Sequence, residues 1–191
     1  MKKYNVAVVG ATGMVGRKML QVLHERDFPI NNLYLFASSK SAGTILKYGG
    51  AEYKVEELTE TSFDRSIDIA LFSAGASTSL KFAPIAARAG TVVVDNSSAW
   101  RMDDSVPLVV PEVNPEDVKW NKGIIANPNC STIQAVVALK PLNDKYKIKR
   151  IVYSTYQSVS GAGMGGYMDL LNGYKNEPPK KFPYPIAGNC L

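Results

Sequence analysis

With 191 residues, 46% hydrophobic and 20% charged, the chain has the balance of a globular protein with a substantial core, which excludes a disordered chain and fits one large domain or two small ones. No apolar run approaches the ~18 residues needed to span a bilayer, and no signal-peptide pattern precedes the first strand, so Cys130 and Cys190 are expected to be free thiols in a reducing cytoplasm. The net charge is +5, but its cations (among them Lys140, Lys145, Lys147, Lys149, Arg150 and Lys180) lack interleaved aromatics and any nucleic-acid motif, which favours a solvated basic face over a nucleic-acid patch.

Residues 4–9 form an apolar run that ends in Gly10-Ala11-Thr12-Gly13-Met14-Val15-Gly16, after which Val15, Met19, Val22 and Leu23 recur at helical spacing. This reads as strand, glycine-rich turn and helix. The spacing of Gly10, Gly13 and Gly16 permits a tight turn, close approach of backbone amides to a pyrophosphate, and close packing of helix on strand. The phosphate then sits at a helix N-terminus. A second strand, residues 33–37, leads into Ser38-Ser39-Lys40-Ser41-Ala42-Gly43. An NAD site usually offers a carboxylate here to the ribose hydroxyls. This chain offers a cation and hydroxyls instead, which points to the 2′-phosphate of NADP.

Residues 52–58 read as a peripheral strand. An interior strand over 67–72 ends at Ser73-Ala74-Gly75, whose small side chains suit close approach of a ligand to backbone, and a helix carrying Leu80, Phe82, Ile85 and Ala86 follows. The buried strand at 91–94 ends in Asp95-Asn96-Ser97-Ser98-Ala99-Trp100-Arg101. Arg101 is either a ligand for a carboxylate or phosphate, or a surface or structural arginine. Strands that are apolar throughout and alternate with helices imply a Rossmann-type doubly wound parallel α/β sheet covered on both faces.

The run Gly123-Ile124-Ile125-Ala126 leads into Asn127-Pro128-Asn129-Cys130-Ser131-Thr132, with helical composition beyond. Asn129 is the expected N-cap. Cys130 therefore opens a helix, where unpaired amides favour a thiolate; the other reading is a small buried apolar residue. Pro141 is expected to end or kink this helix. Residues 149–159 read as a long strand with Tyr153, Thr155 and Gln157 on one face. Gln157 is then a positioned amide beside the turn Val159-Ser160-Gly161-Ala162-Gly163, or a cross-strand polar residue. A helix with Met168, Leu170 and Leu171 follows. Composition and patterning change near Asn127, which divides the chain into 1–127 and 128–191, the latter the beginning of a second, α+β domain. No metal-ligand pattern is present.

The motifs at Gly10–Gly16, Ser39–Gly43, Asp95–Arg101, Val109-Val110-Pro111-Glu112-Val113-Asn114, Asn127–Thr132 and Tyr156-Gln157-Ser158-Val159-Ser160-Gly161-Ala162-Gly163, in this order, resemble aspartate-semialdehyde dehydrogenase over essentially the whole chain. The related N-acetyl-glutamyl-phosphate reductases carry Gly rather than Asn before the cysteine. The resemblance implies NADPH-dependent reductive dephosphorylation of aspartyl phosphate, on the route to lysine, threonine and methionine, in a homodimer formed through the second domain. It makes Cys130 the nucleophile, Gln157 a contact to substrate or intermediate, and Arg101 with Asn129 the phosphate ligands. It gives Thr12, Gly13, Met14, Val15, Lys40, Ser41, Ser160 and Gly161 to NADP, beside Gly10, Gly16, Ser38, Ser39, Ser73, Ala74 and Gly75, which the glycine turn and the ends of the strands at 33–37 and 67–72 already offer to the cofactor. It also implies an acid/base histidine and a substrate-binding arginine beyond Leu191, so the chain resembles the N-terminal part of such an enzyme. The one histidine present, His24, falls near the end of the first helix.

Overall fold

Strand β1 (Tyr4–Val9) lies inside a six-stranded sheet because Val6, Ala7, Val8 and Val9 are all fully buried. Side chains on both faces of a strand can be buried only where both faces are covered. The structure, a computed structural model, describes residues 2–189. After β1 come α1 (Met14–Glu25), β2 (Ile30–Ala37), a hairpin of β3 (Ile45–Tyr48) and β4 (Ala51–Lys54), and the short β5 (Glu56–Glu57). Then follow β6 (Ile69–Phe72), α2 (Ala76–Arg88), β7 (Val92–Asp95), β8 (Ile124–Ala126), α3 (Cys130–Tyr146) and α4 (Gly163–Gly173). The main sheet has the order β5-β2-β1-β6-β7-β8 and every pair in it is parallel. All of its carboxyl ends therefore lie along one edge. The strand order reverses between β1 and β6, the point at which open α/β sheets leave a crevice for ligands.

Alternation along the strands divides the core in two. Ala7, Val9, Phe36, Phe72 and Val93 face α2 residues Ala83 and Ala86, whereas Val6, Val8, Leu33 and Leu35 face Leu20 of α1 and Leu46 of the hairpin. Phe63, from a 3₁₀ turn at Glu60–Phe63, sets its ring centroid 5.9 Å from Phe36 and 6.1 Å from Phe72. These rings fill the space on the α2 face where the sheet's long crossover passes over it.

Several expectations are corrected. Residues 149–159 form no strand: the chain has no regular structure from 147 to 158, before a 3₁₀ turn at Val159–Ala162. The alternation of residue types is real, but a strand exists only where another strand completes its hydrogen bonds, and none among the described residues does. Pro141 does not end its helix, since α3 runs to Tyr146; a proline removes one N–H and strains one turn, which a helix of 17 residues survives. The peripheral strand is in fact β4 of a hairpin, closed by Gly49 and Gly50 at φ +56° and +83°, followed by β5. The helix expected to carry Leu80, Phe82, Ile85 and Ala86 is α2; its buried residues are Ser79, Ala83 and Ala86, while Leu80 is exposed.

The chain forms two compact units, Met1–Lys147 and Ile148–Leu191, so α3 belongs to the first. The expected division fell at 127/128. In the second unit the segment after α4 folds back onto it: Asp169 of α4, only 4% exposed, accepts hydrogen bonds from the main-chain N–H groups of Lys180, Lys181 and Phe182 at 2.9, 2.7 and 2.8 Å. No helix among the described residues is long and apolar enough to cross a membrane.

Candidate active site

Parallel strands bring the expected loops of the first unit to the carboxyl edge of the sheet: the glycine turn after β1, Ser38–Ser41 after β2, Ser73–Gly75 after β6, the Arg101 loop after β7 and the Cys130 turn after β8. A cleft of about 370 Å³ opens over the reversal point, lined by Gly10, Thr12, Gly13, Ser38, Ser73 and Thr78 together with the apolar Val9, Ala37, Leu58, Ala74 and Phe82. Its floor is bare backbone. Gly10 has φ +84°, and a Cβ there would stand 2.3 Å from the Ser73 carbonyl oxygen; a Cβ on Gly16 would stand 2.2 Å from the Gly10 oxygen. Gly13 caps α1 with no side-chain hydrogen bond, so no capping side chain takes up the first amides of that helix.

Ser39, Lys40 and Ser41 form a 3₁₀ turn immediately after Ser38. Ser39 and Lys40 are exposed, and none of the three side chains has a hydrogen-bond partner among the described residues. Thr78, Leu58 and Phe82 were not expected at the cleft. Thr78 sits in the first turn of α2, and the signal for it was available: a hydroxyl three positions after Gly75 in a helix that starts at the edge of the sheet. Leu58 and Phe82 carry no chemical signature, and only folding brings them together as apolar walls.

Arg101 is held by main chain. Its Nε donates to the Asn127 carbonyl at 2.9 Å and its Nη2 to the Asn96 carbonyl at 3.1 Å, while the Asn127 side-chain amide donates to Asn96 Oδ1 at 2.7 Å. Nη1 has no partner among the described residues, leaving donors of the guanidinium for an anion. The fully buried Asp95 organises the same loop, accepting from Ser97 N–H at 3.2 Å and from the Ser97 hydroxyl at 2.6 Å. Asn129 is the N-cap of α3 as expected: its Oδ1 accepts from Ser131 N–H at 3.0 Å, which leaves its amide N–H groups to donate elsewhere. Cys130 is exposed rather than buried, so it is not the small core residue that composition also allowed. Cys190 lies outside the described residues.

In the second unit Gln157 is exposed within the irregular stretch. Ser160 pairs with the Ser158 hydroxyl at 2.7 Å, and Gly161 N–H donates to the Ser158 carbonyl, shaping the turn before α4. Among the described residues no cluster of His, Cys, Asp and Glu could hold a metal ion.

Residues 5–121 match the family model described as "Semialdehyde dehydrogenase, NAD binding domain". The chain belongs to the semialdehyde dehydrogenase family. Residues 139–191 match the dimerisation domain of the same family. Among the semialdehyde dehydrogenases it resembles are the aspartate-semialdehyde dehydrogenases of Aquifex aeolicus, at 60% identity over 98% of this chain and 58% of that protein, and of Campylobacter jejuni, at 51% over 100% and 59%. The crystal structure of aspartate semialdehyde dehydrogenase II complexed with ASA from Vibrio cholerae superposes with a TM-score of 0.93 at 48% identity, covering 99% of this chain and 58% of that one. A Candida albicans aspartate semialdehyde dehydrogenase with NADP matches with a TM-score of 0.65 at 31% identity, over 76% of this chain and 48% of that one. This chain thus spans 58–59% of the length of the Aquifex, Campylobacter and Vibrio proteins and 48% of the Candida one.

Proposed function

We propose that the chain is part of an aspartate-semialdehyde dehydrogenase that reduces L-aspartyl 4-phosphate to the semialdehyde with NADPH in the cytoplasm, through a thioester on Cys130. What carries the reading is that one sheet edge presents both a bare-backbone nucleotide cleft and an exposed thiol at a helix start, with Arg101 clamped to the turn that precedes the thiol. A cleft floored by Gly10, Gly13 and Gly16 fits a dinucleotide pyrophosphate. Ser38, Ser39, Lys40 and Ser41, with Thr78 on the facing helix, offer hydroxyls and one cation and no carboxylate, which favours a 2′-phosphate. Met14 and Val15 supply first-turn amides, and Ser160 and Gly161 complete the cofactor contacts.

In this reaction the Cys130 sulfur attacks the acyl carbon of aspartyl phosphate, a C–S bond forms, and the C–O bond to phosphate breaks. Arg101 Nη1 and the Asn129 amide hold the phosphate as it leaves, and Gln157 contacts the acyl group. Bound NADPH supplies the hydride for the thioester carbon. Collapse then expels the Cys130 thiolate and releases the aldehyde. We further propose that the complete protein is a homodimer through the domain that begins in residues 139–191, the part matched by the family's dimerisation domain.

The second reading, an NADP-binding unit without turnover, is favoured by the single histidine, His24. Phosphate-dependent reduction of NADP⁺ by aspartate semialdehyde, followed in a sample of verified mass, separates the two. Turnover, however slow, that is lost on Cys130→Ser supports the enzyme, and NADP⁺ binding with no Cys130-dependent turnover supports the binding unit.

A further inference from the structure

We propose that Trp100 and Ser79 are positioning residues for the anion subsite: the Trp100 indole N–H, donating to the Ser79 hydroxyl at 2.9 Å, fixes the direction in which Arg101 presents its free Nη1. The inference rests on the reading that Arg101 receives the substrate phosphate.

Arg101 rests its guanidinium on the Asn127 and Asn96 carbonyls, and Asn96 is itself tied to β6 through its N–H on the Phe72 carbonyl and to Asn127 through its side chain. All of these bonds hold Arg101 from the side of β6 and the Asn127 turn. The neighbouring residue supplies a tether to α2. Trp100 packs against the core beneath α2, and its N–H reaches Ser79, which is 1% exposed. Ser79 is itself locked, because its main-chain N–H donates to Gly75 in the first turn of α2. Adjacent residues are thus tied to different elements, Trp100 to α2 and Arg101 to the turn before Cys130. Two such ties set both the position and the rotation of the loop end. Subsites of this kind work within about 0.5 Å, and a misplacement of about 1 Å can cost on the order of a hundredfold in rate. The indole N–H has no other partner among the described residues, and a packing residue at this position needs only the ring.

The test uses the whole 191-residue chain and inorganic phosphate as the probe, reading the phosphate concentration that half-protects Cys130 from iodoacetamide. In the parent, phosphate protects saturably; in Arg101→Ala, protection is lost. Trp100→Phe, which keeps the ring and deletes the donor, raises the half-protecting concentration about fivefold or more while melting temperature and NADPH affinity hold. Ser79→Ala does the same. The double variant is no worse than the weaker single one, because both changes delete one bond. Parent-like protection in Trp100→Phe, or effects of the two changes that add, overturns the proposal. Protection that survives Arg101→Ala, or a parent that phosphate never protects, defeats the phosphate reading itself. Should Ser79→Ala fail to fold, Trp100→Phe decides alone.

Discussion

Gly10 and Ser73 touch through bare backbone: a Cβ on Gly10 would lie 2.3 Å from the Ser73 carbonyl oxygen, and Gly10 holds φ +84°. The turn after β1 and the turn after β6 therefore approach as closely as they do because one of them lacks a side chain. Gly10→Ala strains a left-handed backbone, at roughly 1–3 kcal/mol, and must also push the two turns apart. The strain lowers stability and the displacement widens the floor of the cofactor cleft. NADPH affinity should fall at least tenfold with a lowered melting temperature, as read by fluorescence titration and thermal unfolding; unchanged NADPH binding would remove the cleft from the cofactor site.

Cofactor choice turns on Lys40. Its ammonium is exposed on the 3₁₀ turn after β2, with no partner among the described residues and no carboxylate in that turn. A hydrogen bond to a charged group contributes about 1.5–3 kcal/mol, so Lys40→Asp should weaken NADPH about tenfold or more at low ionic strength. NADH should change little, and added salt should narrow the gap. Equal affinity of the parent for NADPH and NADH would sink the assignment to NADP.

How much of this was legible depends on how local the cause is. The glycine turn, the N-cap at Asn129 and the bounds of β1 follow from residues a few positions apart, and each stands where the sequence placed it. The strand expected over residues 149–159 failed because a period-2 pattern specifies a face and never a partner. Thr78 and Leu58 meet across the cleft only because α2 and the segment after β5 flank the same crevice. Arg101 could be singled out by type, but its clamp onto Asn127 spans 26 positions and had no signature along the chain.

The reactive thiol should be Cys130. It is exposed at the first residue of α3, where the first helical amides lack intrahelical partners. Brief, substoichiometric iodoacetamide treatment followed by peptide mass mapping should place the label there ahead of Cys190, and NADP⁺ with phosphate should slow it. Preferential modification of Cys190 in folded protein would count against the Cys130 mechanism.

Asp169 gives the second unit a pH dependence of known sign. The N–H groups of Lys180, Phe182 and Lys181 hold its carboxyl below the ordinary carboxylate range, outweighing the opposing effect of desolvation, with the Lys180 charge assisting. A depressed folded-state pKa stabilises above the unfolded value of about 3.9 and is lost as pH falls through the folded one. The amides of Lys181 and Phe182 should therefore stay protected from hydrogen exchange at neutral pH and open only in acid below that range. In Asp169→Asn they should exchange faster at pH 7, with little further change on acidification. Amides that open in the parent between pH 7 and 5 would show that another group controls the segment.

Turnover by the 191 residues alone should be very low, and His24 should have no part in it. The resemblance that assigns Cys130 its role also requires a histidine as acid/base, and His24 is the only one present. Helix α1 starts at the carboxyl edge of the sheet and runs back toward the amino edge, with His24 in its last turn. At 1.5 Å per residue that places it roughly 15 Å along the axis from Met14. Its ring instead meets Tyr48 of the hairpin edge-on, with centroids 5.6 Å apart. Acid/base assistance is typically worth 10²- to 10⁴-fold, and the chain should lack that factor. Steady-state assays of parent and His24→Ala should give equally small rates, both abolished by Cys130→Ser. A parent rate of ~10 s⁻¹, the middle of the ordinary enzyme range, or a His24→Ala variant that lost the activity, would show that a group within these residues carries the proton transfer.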